Sequence, residues 1–206
     1  MIGIIDYGKD NIASVRNSLR HLGVKSVAVH SKEDLDLVDT LILPGTATFD
    51  EAMKALSRKA MDLALKEKLD KGTPLLTIGL GMHLLFEESE EGSLEGLGIL
   101  EGKVRPFHFI DSSKRGLKVP HSGWNALEVH DDDPLYANGS EVYFNHMHYA
   151  LPKDPSIIVA STDYGGSFTS AIRKDRIEGM QFHPEKSGAV GLQILRRFLN
   201  RSINSK

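Results

Sequence analysis

Apolar residues in the first 88 positions come in two rhythms. Short runs at Ile2 to Tyr7, Ser26 to Val29, Thr40 to Leu43 and Leu75 to Ile78 predict buried strands. Between them the spacing lengthens to helical period. Asn11 to Leu22 puts Ile12, Val15, Leu19 and Leu22 on one stripe, with Gly23 as the stop. Phe49 to Leu56 and Ala60 to Leu69 also read as helices, the second ended by Lys71 and Gly72. Strands alternating with helices predict parallel crossover units. After Glu88 the pattern changes. Ser89 to Gly98 is an acidic, glycine-rich loop, and short strands follow at Lys103 to Phe107, Trp124 to Val129, Glu141 to His146, Ile157 to Ser161, Phe168 to Arg173 and Ile177 to Gln181. Turns are expected at 131–134, 164–166 and 174–175, and Ser187 to Arg201 closes the chain as a helix. The expected fold is α/β: a single domain over 1–206, with a central, mostly parallel sheet flanked by helices and an antiparallel portion from the second half.

The stretch from Thr73 to Glu88 carries the chemistry. A strand, Leu75 to Ile78, runs straight into Gly79-Leu80-Gly81 and then a helical pattern at Met82, Leu85 and Phe86. Strand, glycine turn and helix form the layout of a nucleophile elbow, whose apex side chain stands out above the sheet. Here the apex is Gly79, so the elbow presents no side chain.

Composition narrows the partners. The net charge of −3, without a basic block, does not favour nucleic acid. No stretch approaches the roughly 18 apolar residues of a membrane span, and the N-terminal run is a strand ended by Asp6 rather than a leader. A cytoplasmic protein without nucleic-acid or membrane contacts is expected. The chain has no cysteine, which excludes disulfides, thiolate metal sites and a cysteine nucleophile together.

Several motifs together resemble the class I glutamine amidotransferases, and within them the glutaminase subunits of imidazole glycerol phosphate synthase. They are Asp6-Tyr7-Gly8, Leu43-Pro44-Gly45, Gly81-Met82, Leu84 to Glu87, Val119-Pro120-His121, Gly123-Trp124-Asn125, Tyr143-Phe144, Thr162 to Gly166 and Gln181 to Ser187. The order and spacing hold over nearly the whole chain. The resemblance implies that the inherited task is to release ammonia from glutamine for a (β/α)8 synthase partner in histidine biosynthesis. It implies a triad of elbow cysteine, His183 as base and acid, and Glu185 to orient that histidine. Residues two apart on an extended segment share a face, so a carboxylate there suits an imidazole. The same His-Pro-Glu also ends a strand well.

The triad is incomplete, since the family's Gly-x-Cys-x-Gly reads Thr77-Ile78-Gly79-Leu80-Gly81. Other departures gather on the implied glutamine pocket. Pro-Gly-Val-Gly of the oxyanion strand reads Pro44-Gly45-Thr46-Ala47, His83 replaces a glutamine, and Met147 and His148 replace serine and tyrosine. Asp10 stands where glycine is usual. Gly45, Thr46, Ala47, Leu80, His83, Met147 and His148 are the candidate binding residues for a glutamine-like small molecule. Neither Thr77 nor Ser122 is read as a replacement nucleophile. Trp124 and Lys186 match positions at or near the synthase contact, and Trp124 reads equally as a core aromatic. His21, His30, His108 and His130 read as surface residues. Two functions remain. One is a glutaminase-type subunit without glutaminase activity and without a cofactor. The other is a repurposed pocket, a hydrolase holding a divalent metal on His83, His148 and His183 near Glu185. Water or an anion bonded to His83 and His148 is the simpler account of those imidazoles.

Overall fold

The computed structural model describes residues 1–8, 12–107, 117–130 and 133–204. Asp10, His108 and the first two residues of the 131–134 turn lie outside them. An eight-stranded sheet forms the centre. Its parallel part is β1 (Ile2–Ile5), β2 (Ser26–Val29), β3 (Thr40–Leu43) and β4 (Leu75–Ile78). Helices α1 (Ala13–His21), α2 (Phe49–Arg58) and α3 (Met61–Asp70) connect these strands. Successive residues on β1, β3 and β4 feed two cores. Leu41, Leu43 and Leu75 pack with Phe49, Leu56 and Leu65 of α2 and α3. Ile4, Ile42, Leu76 and Ile78 pack with Val15 and Leu19 of α1. Burial on both faces explains why these strands are unbroken apolar runs rather than alternations.

Past the elbow, α4 (Leu80–His83) is a single turn. The apolar pattern at Leu85 and Phe86 continues into the core but not as helix, correcting the longer helix expected there. Then come β5 (Glu88–Ser89), β6 (Gly102–Pro106), β7 (His121–Ala126), β8 (Glu128–Val129), β9 (Glu141–His146), β10 (His148–Pro152), β11 (Ile158–Asp163), β12 (Ser167–Lys174), β13 (Ile177–Met180) and α5 (Gly188–Asn204). The order in the main sheet is β2-β1-β3-β4-β13-β12-β11-β8. β13 runs parallel to β4, while β12 and β11 are antiparallel to their neighbours. Leu195 and Phe198 of α5 complete the α1 side.

Two expectations fail for a shared reason. The strand expected at Trp124 to Val129 is two strands: β7 pairs with β9, and β8 joins the main sheet edge. Leu127, buried between them, is where the chain changes sheets. β10 is not among the expected strands: its one partner among the described residues, β6, is distant in sequence. Pairing across sheets leaves little trace in local periodicity.

Candidate active site

The elbow forms as its glycines require. Gly79 has φ 59° and ψ −121°, a conformation that strains any residue with a side chain. Its N–H donates to the Met180 carbonyl at 2.8 Å, tying the turn to β13. Gly81 has no room: a Cβ there would lie 2.0 Å from the Leu43 carbonyl oxygen. Gly79 is different. A Cβ built on it would lie 3.1 Å from the Gly45 oxygen, 3.2 Å from His183 Cε1 and 3.5 Å from His183 Nε2. The missing side chain is therefore missing directly in front of an imidazole.

His183 follows β13 and is held by its backbone, its N–H donating to the Tyr143 carbonyl of β9 at 2.8 Å. Its Nδ1 lies 3.0 Å from Glu185 Oε1, and the two side chains are only 5% and 4% exposed. A carboxylate on Nδ1 fixes the tautomer with Nδ1 protonated, leaving the Nε2 lone pair on the side of Gly79. The pair is not made on an extended segment as expected. Glu185 sits in a 3₁₀ turn, Pro184–Lys186, which folds the carboxylate back under the ring. Glu185 Oε2 is buried without a hydrogen-bond partner among the described residues, and Glu185 lines another cavity, of 130 Å³, with Ser14 and Lys186.

A cavity of 220 Å³ is lined by Gly79 and His183 and by all seven expected binding residues: Gly45, Thr46, Ala47, Leu80, His83, Met147 and His148. The Gly45 carbonyl accepts from the Leu80 N–H at 3.2 Å. The N–H after an elbow apex is an oxyanion donor in hydrolases of this layout. Here that donor is already engaged. His83 Nε2 lies 2.7 Å from Gln181 Oε1. Burial drives the His83 pKa down to about 4, against a rise from the Gln181 bond. His148, half-buried, is also shifted down by burial.

The three histidines do not make a metal centre. No group of three metal-ligating side chains comes together among the described residues, and His83 spends Nε2 on an amide. Three first-row ligands must converge within roughly 2 Å of one point, so the metal-dependent hydrolase is set aside on geometry. Thr77 is buried in β4 with its hydroxyl donating to the Glu178 carbonyl at 3.4 Å, and Ser122 Oγ lies 3.5 Å from Tyr143 Oη; neither has an imidazole. Trp124 is 55% exposed, so the core reading fails for it. It meets Tyr143 edge to face, and Lys186 Nζ lies 5.9 Å from the same ring. His21 and His30 are exposed, whereas His130 is half-buried with Nε2 2.9 Å from Ser161 Oγ.

Glu91, His121, His146 and Gln181 are not among the expected site residues, although His121 and Gln181 belong to the motifs that carry the resemblance. Glu91 reaches the cavity because Asp50, in the first turn of α2, anchors the neighbouring loop: Ser93 and Leu94 donate N–H groups to Asp50 Oδ1 at 3.0 and 3.1 Å. Burial pushes the Glu91 carboxyl upward. His121 and His146 face each other across β7 and β9. His146 Nδ1 lies 2.8 Å from the His148 carbonyl, which makes Nδ1 the donor and Nε2 the acceptor for His121 Nδ1 at 3.1 Å. His121 is stacked between Tyr164 and Phe144, and burial lowers its pKa to about 4. Their signals in the sequence were strand alternation and, for His121, the Val119-Pro120-His121 motif, neither of which reveals the partner.

A family model described as glutamine amidotransferase class-I matches residues 3–201. The chain is 44% identical over 202 residues to the imidazole glycerol phosphate synthase subunit HisH of Geobacillus thermodenitrificans, covering 97% of this chain and 95% of that protein. It is 42% identical over 208 residues to the chloroplastic imidazole glycerol phosphate synthase hisHF of Arabidopsis thaliana, covering 98% of this chain and 34% of that longer protein. Among solved structures, a glutamine amidotransferase superposes with a TM-score of 0.75 at 19% identity, covering 98% of both chains.

Proposed function

The chain belongs to the class-I glutamine amidotransferase family, and from that premise we propose that it is the glutaminase-type subunit of an imidazole glycerol phosphate synthase, without effective glutaminase activity of its own. The observation that carries the proposal is the bare Gly79 in front of His183 Nε2. The His183–Glu185 pair is the base and its orienting carboxylate, with nothing to deprotonate. Without a thiolate no acyl-enzyme forms. Loss of the nucleophile from such a triad costs on the order of 10⁶ in kcat, leaving only what binding and oxyanion donors supply. The Leu80 N–H, bonded to Gly45, subtracts from that residue of activity.

The partner is a (β/α)8 synthase subunit in histidine biosynthesis, in the cytoplasm. Trp124 and Lys186 are its contact residues. A large exposed aromatic beside a lysine and Tyr143 has the make-up of an interface anchor. Glutamine or a related amino acid occupies the cavity formed by Gly45, Thr46, Ala47, Leu80, His83, Met147 and His148.

The test is glutamate release from glutamine by the purified chain, alone and with a barrel synthase subunit bound. The expected rate is background in both cases, with the complex still forming and turning over on supplied ammonia. A glutaminase rate that disappears with His183→Asn would overturn the proposal, and so would failure to bind any barrel subunit.

A further inference from the structure

His183 lies three residues past the end of β13, yet its ring is aimed at Gly79. Its N–H donates to the Tyr143 carbonyl at 2.8 Å. The return bond is not direct. Ser187 Oγ donates to the His183 carbonyl at 2.7 Å, and the same oxygen accepts the Tyr143 N–H at 2.9 Å. A hydroxyl is thus inserted between two backbone groups of β9 and the turn that carries the histidine. We infer that Ser187 is a positioning residue, whose hydroxyl fixes the His183 imidazole in front of residue 79. The inference rests on the reading of His183 and Glu185 as the base and its orienting carboxylate.

The hydroxyl is fully committed to this task. Ser187 is 1% exposed. A serine hydroxyl has one proton to give, and here it goes to His183, which turns a lone pair toward Tyr143. Its bonds go to those two residues rather than to the first N–H groups of α5. Ser187 itself is held from both sides. Its N–H donates to the Pro184 carbonyl at 3.2 Å, and its carbonyl accepts the Gly191 N–H at 3.1 Å. Gly191 packs so closely on the turn that a Cβ there would lie 1.9 Å from the Pro184 oxygen. Glu185 belongs to the same 3₁₀ turn, so ring and carboxylate are carried together.

Loss of the hydroxyl is felt unequally. The His183 carbonyl keeps the Lys186 N–H at 3.0 Å, whereas the Tyr143 N–H loses its acceptor. An unpaired buried donor is costly, and the turn must shift to relieve it. The imidazole rides on that turn. Proton transfer requires heavy atoms within hydrogen-bond reach, and a displacement of about 1 Å costs on the order of 10²-fold in rate. A serine that served α5 alone would affect stability and leave the ring in place.

The chain has no cysteine, so Gly79→Cys introduces a single thiol whose alkylation by iodoacetamide reports the imidazole beside it. A free thiol titrates near roughly 8.5, and one paired with a histidine titrates well below that. The alkylation rate of the full chain is followed against pH for Gly79→Cys alone and with Ser187→Ala, His183→Asn or Ser202→Ala added. Ser202 is the control: it is a buried serine at the other end of α5, its hydroxyl donating to the Phe198 carbonyl at 2.9 Å. Gly79→Cys alone should have its midpoint at least about one unit below that of a free thiol, and His183→Asn should restore the ordinary value. Ser187→Ala should slow alkylation below the midpoint by at least about threefold, the effect of a half-unit rise. Ser202→Ala should leave the profile in place. Should Gly79→Cys fold poorly, the His183 Nδ1–H proton resonance of the otherwise unaltered chain gives the same reading: Ser187→Ala should shift it, and Ser202→Ala should not. An unchanged profile or resonance in Ser187→Ala, or an equal change in Ser202→Ala, would overturn the inference and leave the base pair standing. An ordinary midpoint in Gly79→Cys that His183→Asn does not move would overturn both.

Discussion

Strand β13 has a buried polar cluster at each end, and the two are built from opposite materials. At its start, Glu178 accepts from Arg173 Nε and Arg201 Nη1, each at 2.7 Å, while Arg173 also grips Asp133 with two nitrogens. Glu178 and Asp133 are nearly fully buried. Burial pushes the Glu178 carboxyl upward against the pull of both guanidiniums. Past its other end, Gln181 and His183 join His83 and His148 in a cluster of imidazoles, shifted down or paired, around an open cavity. The first cluster matches charge with charge and ties β12, β13 and α5 together. In the second, burial disfavours charge on His83 and His148 and leaves ring nitrogens uncommitted among the described residues, as a site that must receive a ligand requires. Paired charge fixes a fold, even with Glu178 Oε2 lacking a hydrogen-bond partner among the described residues; uncharged polarity around an open cavity suits a ligand.

The sharpest challenge to this contrast is Arg173→Met. It strands Asp133 in the interior, leaves Glu178 with Arg201 as its remaining cation, and should cost about 3–5 kcal/mol in urea unfolding. A loss below about 1 kcal/mol would mean that the ionic end is decorative.

Acid should act on the imidazole end instead. His83 titrates near 4 when folded and near its ordinary value when unfolded. As pH falls, the unfolded chain takes the proton first, so the His83 contribution is present above the ordinary histidine value and is lost between there and about pH 4, by roughly 3 kcal/mol. Urea midpoints across that range should fall, and His83→Gln should flatten the fall. An unchanged slope in the variant breaks the assignment.

Smaller still, Gly79→Ala places a Cβ in a strained conformation against the Gly45 oxygen and the His183 ring. It should cost on the order of 1–3 kcal/mol by thermal unfolding. No cost would mean that the turn relaxes and is not held by its neighbours. Least of all, Trp124→Ala should leave the stability of the isolated chain within about 0.5 kcal/mol. The same variant should weaken association with a barrel synthase subunit by at least about tenfold; unchanged binding would remove Trp124 from the interface.

The parallel half of the fold was legible because each strand is an apolar run buried on both faces and stopped by a turn. The expected limits of β2, β3, β4 and β9 coincide with the observed ones. The later strands were harder. β10 and the break at Leu127 depend on which distant strand accepts each hydrogen bond, and propensity is nearly silent on that. The lining residues of the cavity were legible where motifs flank it. Glu91 was not, because an aspartate at the start of α2 holds the loop that delivers it.

What the sequence determined by itself was a turn with no side chain at its apex, a chain with no thiol anywhere, and a His-x-Glu pair. These are matters of which atoms exist, and no folding alters them. The tertiary structure alone decided what those atoms meet: an imidazole from beyond β13 facing Gly79, a Gly45 carbonyl occupying the Leu80 N–H, and three histidines close enough to share a cavity yet not convergent on a metal. Such outcomes depend on ångström-scale placement of segments far apart in the chain, which packing and hydrogen bonding set and local pattern does not encode.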